Sequence, residues 1–85
     1  MGLVNRVVER AELLEATLAI ARRIAGNGPI AVRQAKQAIH RGLQMSLWDG
    51  LAFEIEAYNR LVPTEDRREG VRAFNERRKP VFQGR

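Results

Sequence analysis

Three clusters of helix-breaking and helix-capping residues divide this chain into four short segments, and that division limits the folds open to it. Gly26-Asn27-Gly28 ends one helical pattern, and Pro29 suits the first turn of the next. Ser46 precedes Asp49 in a variant of the capping box, and Thr64 begins an acidic turn. The pattern predicts an all-α chain of about four helices, at roughly 11–25, 29–41, 47–61 and 65–78.

The third predicted helix is apolar on two sides. One side carries Trp48, Leu51, Ala52, Ile55 and Val62, and the other carries Phe53, Ala57 and Leu61. A helix of this kind is expected to lie between two neighbours. The second predicted helix is expected to direct inward its spaced apolar residues, Val32, Ala35, Ile39 and Leu43.

The fourth predicted helix has only a thin apolar stripe, made of Val71, Ala73 and Phe74. It is expected to lie across a surface, anchored by Phe74, with Val81 and Phe82 packed after it. The cations Arg77, Arg78 and Lys79 would complement the negative end of the helix, and Pro80 would stop it.

The segment from Leu3 to Val8 is short and β-branched, so it is either a short N-terminal strand or the first turns of a helix. As a strand it has no partner within the chain, and an unpaired strand edge recruits another chain. Together with the two-sided third helix, this segment predicts self-association.

Composition narrows the class of protein further. The 15 Lys and Arg residues exceed the 10 Asp and Glu residues, for a formal net charge of +5, and there is no cysteine. No apolar run approaches the roughly 20 residues that cross a bilayer, and no signal peptide is recognisable at the start. The expected compartment is the cytoplasm, or the mitochondrion if a targeting segment is missing.

Few residues in the sequence are spaced as a catalytic, metal-binding or phosphate-binding site requires. His40, Ser46 and Asp49 lie too close in sequence for a nucleophilic triad, and Ser46 already serves as a cap. Glu54 and Glu56 point apart on a helix. No metal-ligand spacing and no glycine-rich phosphate loop is present. The sequence therefore predicts no catalytic residue, no metal and no cofactor, and a binding or assembly role.

The order of several segments resembles the enoyl-CoA hydratase/isomerase (crotonase) family. The segments are GLVNRVV, LLEATLAIARRIA, GPIAVRQAKQAI and GLAFEIEAYNRLVPTEDRREGVRAFNERRKPVFQG. The chain is most similar to ordinary hydratases, including the methylglutaconyl-CoA branch. The resemblance covers the whole chain from Gly2 and implies that 1–85 is a single helical C-terminal segment, the trimerisation region of a crotonase fold.

The resemblance also implies what the segment would lack and contact. The ββα spiral core, with the two backbone N–H groups and the glutamates that add water to a 2-enoyl-CoA, is not among these 85 residues, so the chain alone should be inactive. The coenzyme A thioester would be the substrate of the full-length enzyme, a trimer or a dimer of trimers. Phe74 and Arg77 would contact the CoA, with arginine where the family usually has lysine.

Another class of function stays open at this point. Arg33, Lys36 and His40 share a helical stripe that could contact a nucleic-acid backbone, in a free-standing basic helical module that binds nucleic acid or protein. The length of the encoding gene would separate this alternative from a hydratase segment.

Overall fold

The chain folds into four α-helices, described for residues 2–85 in a computed structural model. A short 3₁₀-helix at Arg10–Glu12 leads into α1, Leu13–Ala25. The others are α2, Pro29–Gly42, α3, Leu47–Asn59, and α4, Glu65–Asn75. Over 2–85 no strand forms, so the short strand considered for Leu3 to Val8 is absent there. The all-α prediction is confirmed.

Local capping explains where the helices begin. The Ser46 hydroxyl accepts a hydrogen bond from the backbone N–H of Asp49 at 3.2 Å, and the Thr64 hydroxyl accepts one from the N–H of Arg67 at 3.2 Å. Pro29 occupies the first turn of α2, where its missing N–H costs nothing. The predicted starts of α2, α3 and α4 are therefore correct, whereas α3 and α4 end two and three residues earlier than predicted.

The helices α2 and α3 pack against each other as a hairpin and form the main tertiary contact of the described chain. Near the connection they approach closely: a Cβ atom on Gly50 would lie 3.4 Å from the Gly42 carbonyl oxygen. Ala57 is 5% exposed, and the Arg41 guanidinium lies 5.8 Å from the centroid of the Phe53 ring. The side of α3 that carries Phe53 and Ala57 is thus the one covered within the chain.

The other predicted face of α3 is open. Trp48 is 79% exposed and Ile55 is 63% exposed, so the expectation of two neighbours fails within this chain. The prediction that Ile39 and Leu43 point inward is also wrong, since their exposures are 63% and 84%. The physical reason is that α1 and α4 do not pack broadly on the α2–α3 hairpin, which leaves these apolar side chains uncovered.

The molecule is flat and open. Its Cα radius of gyration is 16.1 Å, with extents of 43 × 40 × 18 Å, whereas a compact domain of this length has a radius of about 12 Å. The accessible surface is 7619 Å², roughly 2,500 Å² above the value expected for a compact monomer of this size. No helix within residues 2–85 is long and apolar enough to cross a membrane.

Candidate functional site

The C-terminal end of α4 is a Schellman motif with an unusual residue at its turn. The N–H of Arg78 donates to the carbonyl of Ala73 at 3.0 Å, and the N–H of Arg77 donates to the carbonyl of Phe74 at 3.2 Å. Arg77 has φ +54°, and it is the one non-glycine residue with positive φ in the described part of the chain. Glycine is usual at this position, because a residue with a Cβ atom costs about 1–2 kcal/mol there.

The side chain of Glu69 holds the backbone beyond this turn by hydrogen bonds. Both carboxylate oxygens of Glu69 accept hydrogen bonds from the Arg78 guanidinium, at 2.6 and 3.1 Å, and one also accepts the N–H of Val81 at 3.0 Å. These hydrogen bonds lower the pKa of Glu69 to about 2, and those from Arg78 contribute most. Arg78 also pairs with Glu76, and the two carboxylates raise the pKa of its guanidinium.

A second carboxylate fixes the end of the chain onto the start of α4. Asp66 is 6% exposed, and its oxygens accept the N–H groups of Gln83 and Gly84 at 2.6 and 2.8 Å. Its own N–H donates to the carbonyl of Arg85 at 2.8 Å. Because its carboxylate oxygens accept two backbone N–H groups, the burial of Asp66 is compensated by hydrogen bonds. The segment 80–85 is thereby tied along α4.

Phe82, and not Phe74, is the aromatic residue that packs this segment. Cβ atoms placed on Gly28 and Gly70 would lie 3.9 and 3.7 Å from the Phe82 ring, so the ring packs beside both glycines. Phe74 is 83% exposed, and the anchor of α4 on that stripe is Ala73, which is 1% exposed. The predicted anchoring by Phe74 is therefore wrong, as is the packing of Val81, which is 65% exposed.

The two predicted CoA-contacting residues, Phe74 and Arg77, are both exposed and lie close together in sequence at the end of α4. They do not share a helical face, because α4 ends at Asn75, earlier than the predicted end at 78, and Arg77 lies in the left-handed turn beyond it. Within residues 2–85 the Arg77 guanidinium takes part in no ion pair. Both side chains are thus free to meet a group outside this chain.

The run of three cations does not act as one helix-end charge. Arg78 turns back to Glu69, nine residues earlier, whereas Arg77 and Lys79 have no carboxylate partner within the described range. The prediction that all three complement the helix dipole fails for Arg78, since its guanidinium is held by two carboxylates. The cation free for a ligand at the turn itself is Arg77.

The other candidate groups are not brought together as a catalytic site. Ser46 caps α3, and His40 is exposed near the end of α2. In the part of the chain that the structure describes, no group of three or more His, Cys, Asp or Glu residues could hold a metal ion. Arg33, Lys36 and His40 do lie exposed on α2.

Sequence reasoning missed Glu69 and Asp66 as organising residues. Both are visible in the sequence as acids three residues apart within the fourth predicted helix, but no local pattern links them to the segment 80–85. Their roles depend on contacts with Arg78, Val81, Gln83 and Gly84, 9 to 18 residues later, so no local sequence signal reveals them.

Comparison with known proteins identifies the class. A family model described as enoyl-CoA hydratase/isomerase matches residues 1–85. The chain is 47% identical over 79 residues to the short-chain-enoyl-CoA hydratase of Clostridium acetobutylicum, over 93% of this chain and 30% of that protein. It is 40% identical over 88 residues to the mitochondrial methylglutaconyl-CoA hydratase of Homo sapiens, over 99% of this chain and 26% of that protein.

The fold agrees with the sequence match. The crystal structure of an enoyl-CoA hydratase from Bacillus anthracis superposes with a TM-score of 0.96 at 49% identity, over 99% of this chain and 33% of that one. The four helices and their clamped C-terminal segment are thus an arrangement found in solved enoyl-CoA hydratases. The chain belongs to the enoyl-CoA hydratase/isomerase family, and a free-standing nucleic-acid-binding module is not favoured.

The extent of the match limits what it says about activity. The chain spans about a third of the length of the curated relatives that it matches, with shares of 32%, 30% and 28% for three of them. It is therefore similar to a part of each of those proteins.

Proposed function

We propose that this chain is the C-terminal assembly and CoA-contacting region of an enzyme that adds water to a 2-enoyl-CoA. In this role the chain supplies contacts between subunits and to the CoA part of the substrate, and the rest of the enzyme supplies the residues that activate water. Hydration leaves the oxidation level of the thioester unchanged overall, so the proposed reaction requires no redox cofactor.

One observation carries this proposal: the chain superposes on a third of a solved hydratase, yet it leaves apolar surface open. Trp48 and Ile55 on α3, and Leu43 after α2, are more than half exposed. The excess accessible surface, roughly 2,500 Å², is larger than the ~800 Å² that one partner buries in an interface of standard size. Such a surface suits a region covered by the rest of its subunit and by neighbouring subunits, in a trimer or a dimer of trimers.

The CoA contact is proposed for Phe74 and Arg77. Phe74 offers an exposed aromatic ring, on which a heteroaromatic base can stack. Arg77 offers a guanidinium that forms no ion pair within residues 2–85 and is suited to a phosphate group. A left-handed turn that would be more stable with glycine but carries arginine supports a role for that side chain, since local backbone strain clusters at functional positions. In the full-length enzyme the contact would cross a subunit boundary.

The compartment follows from the same proposal. We place the enzyme in the cytoplasm, or in the mitochondrion if a targeting segment precedes the residues given. Relatives from Mus musculus and Homo sapiens carry the word mitochondrial in their names.

The test of the CoA contact is the substitution Arg77→Ala in the full-length enzyme, with binding of CoA and of 3′-dephospho-CoA measured by calorimetry. Loss of Arg77 should weaken binding of CoA by about 1 kcal/mol, typical of a charge-assisted hydrogen bond in a partly wet site. Binding of dephospho-CoA should change much less. Equal losses for the two ligands would assign Arg77 a structural role and remove the contact from the proposal.

The assembly role is tested separately by the length of the encoding reading frame. A frame that continues upstream into a spiral core of alternating strands and helices supports the hydratase region. A gene that encodes 85 residues and no more would overturn it.

A further inference from the structure

The contacts around Arg77 distinguish residues that would touch the ligand from residues that would hold the turn. Within residues 2–85, every hydrogen bond that the Glu69 carboxylate accepts comes from beyond the turn: two from the Arg78 guanidinium and one from the N–H of Val81. Glu69 itself lies on α4, and its side chain is only 18% exposed. It therefore joins the helix to both sides of the segment that follows Arg77.

The backbone hydrogen bonds of the turn also hold Arg77 in place, by joining it and Arg78 to the last turn of α4. The N–H of Arg77 is bonded to the carbonyl of Phe74, and the N–H of Arg78 to that of Ala73. A non-glycine residue at φ +54° is not the preferred state of a free chain, so it persists where surrounding contacts over-determine it. The Glu69–Arg78 pair is the strongest such contact here, because it is a charge-assisted, bidentate pair.

We infer that Glu69 and Arg78 are positioning residues, which hold the left-handed turn so that the Arg77 side chain leaves the backbone in one direction, towards a phosphate monoester of the ligand. The inference rests on the proposed contact of Arg77 with CoA and adds the residues that determine its preference for the phosphate. Arg78 pairs with Glu69 and Glu76, whereas the Arg77 guanidinium pairs with no carboxylate within residues 2–85 and is available to the ligand.

The physical benefit is pre-organisation. Ordering a long side chain and its backbone on binding costs free energy that a fixed turn has already met. A turn freed from Glu69 would let Arg77 return to ordinary φ values, and the guanidinium would then sample many directions. The loss would fall on the phosphate-bearing ligand and not on CoA recognition in general, which gives the inference a specific readout.

The experiment uses the full-length enzyme and compares its dissociation constants for CoA and 3′-dephospho-CoA, measured by calorimetry. Arg77→Gly removes the side chain and keeps the turn, because glycine favours this conformation. Glu69→Gln and Arg78→Lys keep Arg77 and loosen the turn, the first by removing the charge and the second by removing the two-pronged geometry. Glu65→Gln is the matched control, since it breaks the Glu65–Arg85 pair on the same helix.

We expect Arg77→Gly to reduce the preference for CoA over dephospho-CoA by about fivefold, with no loss of thermal stability. Glu69→Gln and Arg78→Lys should each reduce that preference by about threefold, and Glu65→Gln should leave it unchanged. If Glu69 had a purely structural role, Glu69→Gln would weaken binding of CoA and of dephospho-CoA equally.

Two outcomes overturn the inference, and they are distinguishable. If Arg77→Gly abolishes the preference for CoA over dephospho-CoA while Glu69→Gln and Arg78→Lys preserve it, Arg77 contacts the phosphate and the Glu69–Arg78 pair does not position it. If Arg77→Gly preserves the preference, the proposed CoA contact itself has failed, and the positioning role fails with it.

Discussion

Arg77 and Arg78 are adjacent in sequence and identical in chemistry, but their surroundings give them different uses. Arg78 lies against two carboxylates and is more than half covered, at 37% side-chain exposure. Arg77 occupies a strained turn with no ion pair in the described chain. A run of like charges therefore separates into a structural cation and a cation available to a ligand, and the separation depends on Glu69, nine residues earlier.

The protonation of Glu69 gives a prediction at the residue scale. Its pKa in the folded chain is about 2, below the ordinary glutamate value of about 4.3. A carboxylate with a lowered folded pKa stabilises the fold fully above its unfolded pKa, and that stabilisation is lost as pH falls through the folded pKa. The stability that Glu69 contributes should therefore decline from about pH 4.3 down to about pH 2.

The measurement is a carbon-13 NMR titration of the Glu69 carboxyl, assigned by its disappearance in Glu69→Gln. The midpoint should lie near pH 2 and rise towards the ordinary value in Arg78→Ala, since the hydrogen bonds from Arg78 are the main cause of the lowered pKa. Arg85→Ala, which breaks the pair with Glu65, should leave the midpoint in place. A midpoint near 4 in the unsubstituted chain would contradict the bonded geometry.

At the scale of elements, the starts of α2, α3 and α4 were predictable from sequence, whereas the ends of α3 and α4 were not. Ser46 and Thr64 cap through their own side chains within three residues, so the information is local. The end of α4 depends on Glu69 reaching Arg78 and Val81, and on Asp66 reaching Gln83, which are long-range contacts. Local patterns extended α4 to residue 78, and the three-dimensional contacts turn the chain after Asn75.

The candidate site likewise depends partly on residues that sequence indicates and partly on long-range contacts. Phe74 and Arg77 came from the family resemblance and not from spacing, and they do not share a helical face because Arg77 lies outside α4. Glu69 and Asp66 needed the course of segment 80–85, which no periodicity encodes. The proposed ligand contacts thus rest on the resemblance, while the residues that hold the turn beside them required the fold.

The α2–α3 hairpin carries a prediction about its close approach. A Cβ atom at Gly50 would lie 3.4 Å from the Gly42 carbonyl oxygen and 3.6 Å from its Cα, which is ordinary contact. Gly50→Ala should therefore raise stability by about 0.5–1 kcal/mol through helix propensity. Gly50→Leu should lower stability by about 1–3 kcal/mol, because its further carbons must displace the α2 backbone.

Thermal unfolding followed by circular dichroism at 222 nm would measure both variants. Gly42→Leu is the matched control, since a Cβ atom there meets nothing within 4 Å. Gly42→Leu should not show the loss seen in Gly50→Leu. Equal losses at the two positions would mean that the close approach of α2 and α3 does not restrict side-chain size at Gly50.

At the scale of the whole molecule, the dominant fact is uncovered apolar surface on an open frame. The covered side of α3 faces α2, and its opposite side carries Trp48 at 79% exposure. In the proposed full-length enzyme, other parts of the subunit or neighbouring subunits would cover this side. In the 85-residue chain alone, another copy is the available cover, because burial of apolar area drives association.

We therefore predict that the 85-residue chain self-associates at micromolar concentration through the open side of α3. Sedimentation equilibrium should give a mass above that of one chain, and the emission of Trp48, the sole tryptophan, should shift to shorter wavelength as concentration rises. Trp48→Ser should weaken association by about 2 kcal/mol, or roughly 30-fold, as expected for an aromatic hot spot. Phe74→Ser, at an equally exposed aromatic on α4, should have little effect. A monomeric mass at high micromolar concentration would refute self-association, and equal effects of the two substitutions would mean that the open side of α3 is not the interface.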